Sequence, residues 1–487
     1  MSGALVFPVI DLRAVAPALV LSATAALLML LDLLPPRDRK GHLGLVGLGG
    51  VLVALVLTLR LWGVDTRAFR GMVALDNYAL FFNLVIGYGT GLVLMFSMDY
   101  LRRQGMESGE FYILVLLAAV GMVLMAAATD LIVIFLALET MSLSLYVLAG
   151  FFRGRAQAAE ASMKYFLLGA FASGFFLYGI ALIFGATGST NLEKIAAVIA
   201  GGSGWDPSLV VGAGLLMVGF GFKISAVPFH LWTSDVYEGA PTAVTAFIAT
   251  GSKAAAFAAL LRVLLASARP GTLDWPVPLW ALAVLSMTVG NVIAIAQQNL
   301  KRMLAYSSIA HVGYMLVGVV AGGALGHGGV LFYLLVYTFT TAGAFGVILL
   351  LERNGREAVL LEDYGGLAGR HPVMALSLSV FLLSLIGIPP TAGFVGKFAL
   401  FGAAVRAGYL WLAVIAVLNS ALAAYYYLRL IVYMYMREPE PGGPTVAAPS
   451  FAGSLALVVA LWGVVQLGIL PGPLLDLAQS AVTPLLR

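Results

Sequence analysis

The chain contains no cysteine, few charges and only five histidines. Without cysteine it can form no disulfide, ligate no iron-sulfur cluster through thiolates and attach no c-type haem. The histidines, His42, His230, His311, His327 and His371, show no paired spacing on one helix face of the kind that zinc or haem ligation needs. Charged residues make up 10% of the 487, against roughly 25% in soluble domains. In their place stand hydrophobic residues, 61% of the chain, with a mean hydropathy of +1.00. The class is therefore an all-α polytopic membrane protein, and no polar stretch is long enough to bury a core of its own. The net charge of +4 does not point to nucleic acid, because the basic residues are not clustered with aromatics on a soluble face. Glycine-rich pieces such as Gly47-Leu48-Gly49-Gly50 lie inside apolar runs, without the strand and acidic residue of a dinucleotide site. They and the Gly87 to Gly91 spacing suit helix packing.

Apolar stretches of about twenty residues predict fourteen transmembrane helices: 12–34, 42–62, 77–101, 111–128, 130–152, 161–185, 208–232, 241–266, 277–297, 303–324, 329–351, 372–402, 408–436 and 450–470. The longest polar stretches, 186–207, 352–371 and 437–449, are expected to be loops. If the first helix runs from outside to inside, the inward loops collect Arg37, Arg39, Lys40, Arg102, Arg103, Arg153, Arg155, Lys301, Arg302, Arg353, Arg356, Arg370 and Arg437. The outward loops hold mainly Arg67, Arg70, Lys194, Arg269 and Arg406. The positive-inside rule then puts both termini on the outer side of a bacterial cytoplasmic membrane. The basic cluster Arg37 to Lys40 follows the first apolar run instead of preceding it, so that run is expected to be a retained helix and not a cleaved signal.

Four ionisable residues, Glu139, Lys223, Lys253 and Lys397, sit near the middle of these apolar segments. A charge at the bilayer centre costs about 2.5 to 3.5 kcal/mol even on lenient scales, so such residues face protein or water and mark ion or proton paths. Ion pairs that merely lock helices together are the competing explanation. Two segments are also broken. The seventh carries Gly221-Phe222-Lys223-Ile224-Ser225-Ala226-Val227-Pro228, and the twelfth carries Gly387-Ile388-Pro389-Pro390-Thr391-Ala392-Gly393. Proline removes a backbone donor, and the freed carbonyls must be met by water, side chains or neighbouring helices. The breaks lie five helices apart. Helices 4–8 (111–270) and 9–13 (271–437) therefore form two five-helix units, each broken in fourth place, flanked by helices 1–3 (1–110) and helix 14 (438–487). Because five is odd, the second unit enters the membrane inverted, as in inverted-repeat transporters. The tenth helix, counterpart of the fifth, offers no carboxylate but has His311 with Ser307 and Ser308.

The residues also resemble a known family. Val227 to Thr242 (VPFHLWTSDVYEGAPT), Gly251 to Phe257 (GSKAAAF), Ala128 to Glu139, Lys164 to Phe171, and Gly387 to Phe398 closely resemble subunit N of bacterial NADH-quinone oxidoreductase, respiratory complex I. That subunit is an antiporter-like proton channel of the membrane arm. The likeness runs over most of the chain, and its Asp235 to Thr242 run favours subunit N over the related M and L subunits; no room is expected after the fourteenth helix for the long lateral helix of subunit L. It implies that Glu139 and Lys223 form the charge pair of an inward half-channel, that Lys253 is the central relay and that Lys397 is the outward relay. It further implies secondary places for Lys164, whose charge couples to a neighbouring subunit, and for His230 and His311 along the axis. The flavin (FMN), the iron-sulfur clusters and quinone reduction would belong to partner subunits, among them neighbouring antiporter-like and small membrane subunits, with no cofactor on this chain.

The alternative is a subunit of a multi-subunit cation/proton antiporter, which shares the fold and the lysines; the Asp235 to Thr242 run leans toward the redox complex. A non-transporting scaffold is the third class. The chemistry suits a pump, because burial and a nearby opposite charge push a lysine in opposite directions, by up to about 3 to 5 pKa units. Moving a proton against about 200 mV takes roughly 4.6 kcal/mol, a swing of a little over three units.

Overall fold

A backbone in hydrocarbon must satisfy its own hydrogen bonds, and this sequence does so with helices. The computed structural model describes residues 11–34, 40–201, 206–267, 275–353, 356–438, 445–446 and 450–486. Arg37, Arg39, Arg269 and both termini lie outside the described residues. Among the described residues thirteen helices are long and apolar enough to cross a membrane. They are helix 1 (Leu12–Asp32), 2 (Gly41–Arg60), 3 (Asn77–Arg103), 4 (Gly109–Ala127), 5 (Leu131–Ala149), 6 (Ala156–Thr187), 7a (Pro207–Ile224), 8 (Thr242–Ala266), 9 (Pro276–Ile295), 10 (Leu300–Ala321), 11 (Gly323–Leu350), 13 (Leu410–Met436) and 14 (Phe451–Ile469). Helix 12 supplies the fourteenth crossing in two pieces, 12a (Pro372–Ile386) and 12b (Ala392–Arg406). Helix 7a is likewise continued, after a turn, by 7b (Thr233–Gly239). The protein is thus a multi-pass, all-helical membrane protein.

Polar residues set several helix starts. Asp76 accepts from the Ala79 amide, Asp130 from Ile132, and Asn299 from both Lys301 and Arg302, each meeting a donor that a helix leaves free at its first turn. Both breaks end in the left-handed region, at Ser225 (φ 66°) and Gly387 (φ 89°). Helices 8, 10 and 11 form the buried centre, and helices 1, 2 and 6 the periphery, with outward faces of Leu, Val and Phe.

Two parts of the expected loops are ordered. Residues Leu192–Gly201, inside the stretch 186–207, form a short amphipathic helix. In the stretches 352–371 and 437–449, β3 (Leu351–Arg353) pairs antiparallel with β4 (Arg356–Glu357) and with β5 (Thr445–Val446). A hairpin of β1 (Thr66–Ala68) and β2 (Val73–Leu75) lies between helices 2 and 3. The C-terminal unit was expected to hold one helix, yet a second, Gly472–Val482, follows helix 14 and packs on helices 3 and 11. These pieces are too short or too polar to carry a membrane-span signal, which is why hydropathy passes over them.

The two units repeat one close approach. A Cβ on Gly121 of helix 4 would lie 2.5 Å from the Met141 amide nitrogen and 2.6 Å from the Ala137 carbonyl of helix 5. A Cβ on Gly290 of helix 9 would lie 2.8 Å from the matching atoms of Ala310 and Tyr306 on helix 10. Neither backbone can yield, so only glycine lets these pairs meet.

Candidate functional site

Three lysines reach the protein interior from three different helices. Lys223 is 3% exposed, Lys253 1% and Lys397 4%. Among the described residues none of the three makes an ion pair with a carboxylate. Each is held by hydroxyls, carbonyls and rings instead.

Lys223 ends helix 7a, one residue before Ile224 and the break. Its Nζ donates to Ser142 Oγ at 2.7 Å and Tyr146 OH at 3.2 Å, both on helix 5, and lies 5.2 Å from the centre of the Tyr146 ring. The structure does not bring Glu139 into an ion pair with it. Glu139, half-buried, instead accepts a short hydrogen bond from Ser173 of helix 6. Glu139 and Ser142 are adjacent turns of one helix, so the carboxylate and the ammonium are neighbours along helix 5 rather than partners.

Lys253 follows a π-turn, Ile248–Ser252, a local widening that tends to occur at functional positions. Its Nζ donates to Ser308, closely to the hydroxyl and at 3.3 Å to the carbonyl. The same hydroxyl lies 3.3 Å from Tyr237 OH of helix 7b. Lys253 thus docks on Ser308 of helix 10. One turn further along helix 10, His311 joins Tyr333 OH (Nδ1, 2.6 Å) and Tyr427 OH (Nε2, 3.2 Å), and Tyr427 in turn touches Ser307.

Lys397 of helix 12b turns back on its own break. Its Nζ donates to the carbonyls of Leu385 and Ile386, both at 2.9 Å, and to Ser420 Oγ at 2.7 Å, over the Tyr314 ring at 4.6 Å. In the other broken helix the Phe222 carbonyl takes the Trp232 indole N–H at 3.0 Å beside the Ser225 amide at 3.1 Å. The two breaks thus solve the same backbone problem with different donors.

The two remaining expected residues sit at the edge. Lys164 pairs with Glu160 and Asp235, each at 2.7 Å, and is 41% exposed on its side chain; Asp235 also binds Arg302. His230 lies half-buried in the turn after the first break. Sequence reading passed over the hydroxyls of Ser142, Tyr146, Tyr333, Ser420 and Tyr427, which no periodicity distinguishes from ordinary packing residues. It also placed Lys301 among loop charges, whereas the structure buries it on the first turn of helix 10.

Arranged this way, the interior holds a row of ammonium, hydroxyl and imidazole groups, all able both to bind and to give up protons or to pass them between neighbours. Comparison with known proteins gives the family. Residues 128–423 fit the family described as "NADH:quinone oxidoreductase/Mrp antiporter, TM". The chain belongs to that family. It is 50% identical over 479 residues, 98% of each chain, to a protein of Trichlorobacter lovleyi named NADH-quinone oxidoreductase subunit N. It superposes on a chain of respiratory complex I from Thermus thermophilus with bound aureothin at a TM-score of 0.81 and 41% identity, covering 95% of this chain and 99% of the other. A chain of the Mrp complex from Dietzia sp. DQ12-45-1b shares the fold at a TM-score of 0.84 and 22% identity, over 97% and 98% of the two chains. This family of antiporter-like subunits supplies both functional classes raised by the sequence, and identity is what favours the redox complex.

Proposed function

We propose that the chain is the proton-translocating, subunit N-type component of the membrane arm of an NADH-quinone oxidoreductase, working beside the other subunits of that complex. The half-identical relative over 98% of both chains supports the assignment over a cation/proton antiporter. Lys223, Lys253 and Lys397 serve as the proton-binding stations, with Glu139 as the carboxylate beside the first and His311 between the second and third. Lys164 and His230 act at its margin. The observation that carries this reading is that, among the described residues, three buried ammonium groups have no carboxylate partner and rest on hydroxyls and carbonyls. A structural charge would be paired, because an unpaired buried charge is costly. A proton carrier must instead be able to lose its charge.

The redox groups, FMN and iron-sulfur clusters, and the quinone sit on partner subunits, a reading supported by the absence of cysteine. The complex lies in the bacterial cytoplasmic membrane with both ends of this chain on the outer side. Lys253→Met in the assembled complex tests the core of the proposal. Proton translocation and quinone reduction should fall together while electron transfer to a hydrophilic acceptor stays intact. Undiminished pumping would mean that Lys253 only holds helices, the scaffold alternative.

A further inference from the structure

The lysine row leaves unexplained a polar cavity of about 1120 Å³ on the face that carries β3 to β5. Four connections meet there. Arg155 and Gln157 come from the start of helix 6, Glu238 and Ala240 from the end of 7b and the link to helix 8, Lys301 from the start of helix 10, and Glu357 from β4. Under the positive-inside reading this is the inward face.

Glu357 and Lys301 form its floor. Their charged atoms are 3.6 Å apart, with side chains 9% and 2% exposed. Lys301 Nζ also donates to the Ala240 carbonyl at 2.7 Å. Glu357 accepts from the Tyr100 hydroxyl and from Thr242 Oγ1, the latter at 2.7 Å. Backbone hydrogen bonds fix this placement, from Leu300 N to the Val359 carbonyl (2.7 Å) and from Leu361 N to that of Gln298 (2.9 Å). A pair so built could be a latch for the loop. Yet one side of Glu357 opens on the cavity and the other touches Thr242, the first residue of helix 8, which carries Lys253 about three turns, roughly 16 Å, further on. Between them stands the Tyr237 hydroxyl, which meets Ser308 beneath Lys253, while the Thr245 hydroxyl is taken up by the backbone carbonyls of Tyr237 and Pro241.

We propose that Glu357 is the proton-collecting carboxylate at the inward mouth of the path, with Lys301 as its counter-charge. A carboxylate oxygen takes a proton from water in the cavity. The proton then leaves by way of the Thr242 hydroxyl and passes through water toward the Tyr237 hydroxyl and Lys253, and the carboxylate is regenerated, so nothing else is consumed. This rests on Lys253 as the central relay.

The test uses inverted membrane vesicles containing the assembled complex, whose inward face is open to the medium. Glu357→Gln should lower coupled proton uptake and quinone reduction at least about ten-fold, in line with the loss of a positioned proton-transfer group. Glu357→Asp should keep most of the rate. Glu357→Ala should be slow and regain rate when formate or acetate is added, since a small carboxylate can enter the cavity. A wild-type rate in Glu357→Gln overturns the proposal, and so does a slow Glu357→Ala that formate does not help, which marks a latch. If Glu357 variants do not assemble, Thr242→Ser and Thr242→Val leave the ion pair in place. The serine variant should be fast and the valine variant slow, and equal rates overturn the proposal. Lys253→Met in the same vesicles separates the two readings: a dead Lys253→Met beside a normal Glu357→Gln removes only the mouth, whereas a normal Lys253→Met removes the relay itself.

Discussion

Lys397 shows why a buried charge must be tested by more than deletion. Its ammonium is the donor for two carbonyls that the break in helix 12 sets free, and leaving a buried carbonyl unmet costs about 1 to 3 kcal/mol. Lys397→Ala therefore removes a proton station and a backbone partner at once. Lys397→Arg keeps the charge and offers donors to the same carbonyls, but guanidinium does not release a proton at attainable pH. The expected outcome is that Lys397→Arg assembles and yet, like Lys397→Ala, depresses quinone reduction and proton translocation together, with transfer from the donor to a hydrophilic acceptor unchanged. Near-normal pumping by Lys397→Arg would leave the lysine a purely structural donor and move the outward path to His311. At this scale the buried lysines were legible as candidates, because a lysine in an apolar run is rare enough to stand out. Their partners were not. Ser142 also bonds the Leu138 carbonyl of its own helix, the ordinary habit of a membrane serine, and nothing in the sequence separates that habit from service to Lys223.

At the scale of elements, the sequence announced the breaks through proline and their five-helix spacing, and the glycine contacts of helices 4 with 5 and 9 with 10 supply the matching geometry. It did not announce the clamp that ties the ends of helices 3, 4 and 8 on the face of the β1–β2 hairpin. Arg262, on helix 8, grips both Asp76 oxygens at 2.8 and 3.0 Å and donates twice to the Ala126 carbonyl, with both side chains 3% exposed. Arg262 escapes notice in a hydropathy scan because it lies near a helix end, where charge is unremarkable. Burial alone would raise the Asp76 carboxyl, but the Arg262 charge and hydrogen bonds, with the Ala79 amide, hold it below its usual range. A carboxyl depressed in the folded state contributes stability that is fully present above its unfolded pKa, near about 4, and is lost as pH falls through the folded value. Asp76→Asn should therefore lower stability at neutral pH by about 3 to 5 kcal/mol, since it leaves a buried guanidinium unpaired. In detergent melts of the complex, the gap between parent and variant should shrink as pH drops below about 4. A gap that is absent at neutral pH, or that stays constant into acid, would show that the clamp contributes nothing through its charge.

At the scale of the whole molecule, the question is which face is which. The described ends share one face. Residues Leu12–Val15 pack against β2 of the hairpin between helices 2 and 3, and Gln479 of the last helix packs on Gly328 near the start of helix 11. The opposite face carries β3 to β5, the cavity with Glu357, and the described basic residues Lys40, Arg102, Arg103, Arg153, Arg155, Lys301, Arg302, Arg353, Arg370 and Arg437. Because a polytopic protein keeps its lysines and arginines on the cytoplasmic side, that face is expected to look inward. Fourteen crossings, an even number, then bring both ends back to the outside. A reporter active only outside the cytoplasm should work when fused after Arg487, and one fused into the turn after Arg153 should not. A cytoplasmic reporter should give the reverse pattern. Should the terminal fusion work only inside, either the count of crossings is odd, which the paired halves of helix 12 forbid, or the whole molecule is inverted. In the second case Glu357 would stand at the exit of the proton path and not at its mouth, and external formate would rescue Glu357→Ala in right-side-out vesicles only. The direction of pumping and the direction of insertion are thus read by one pair of fusions and one carboxylate.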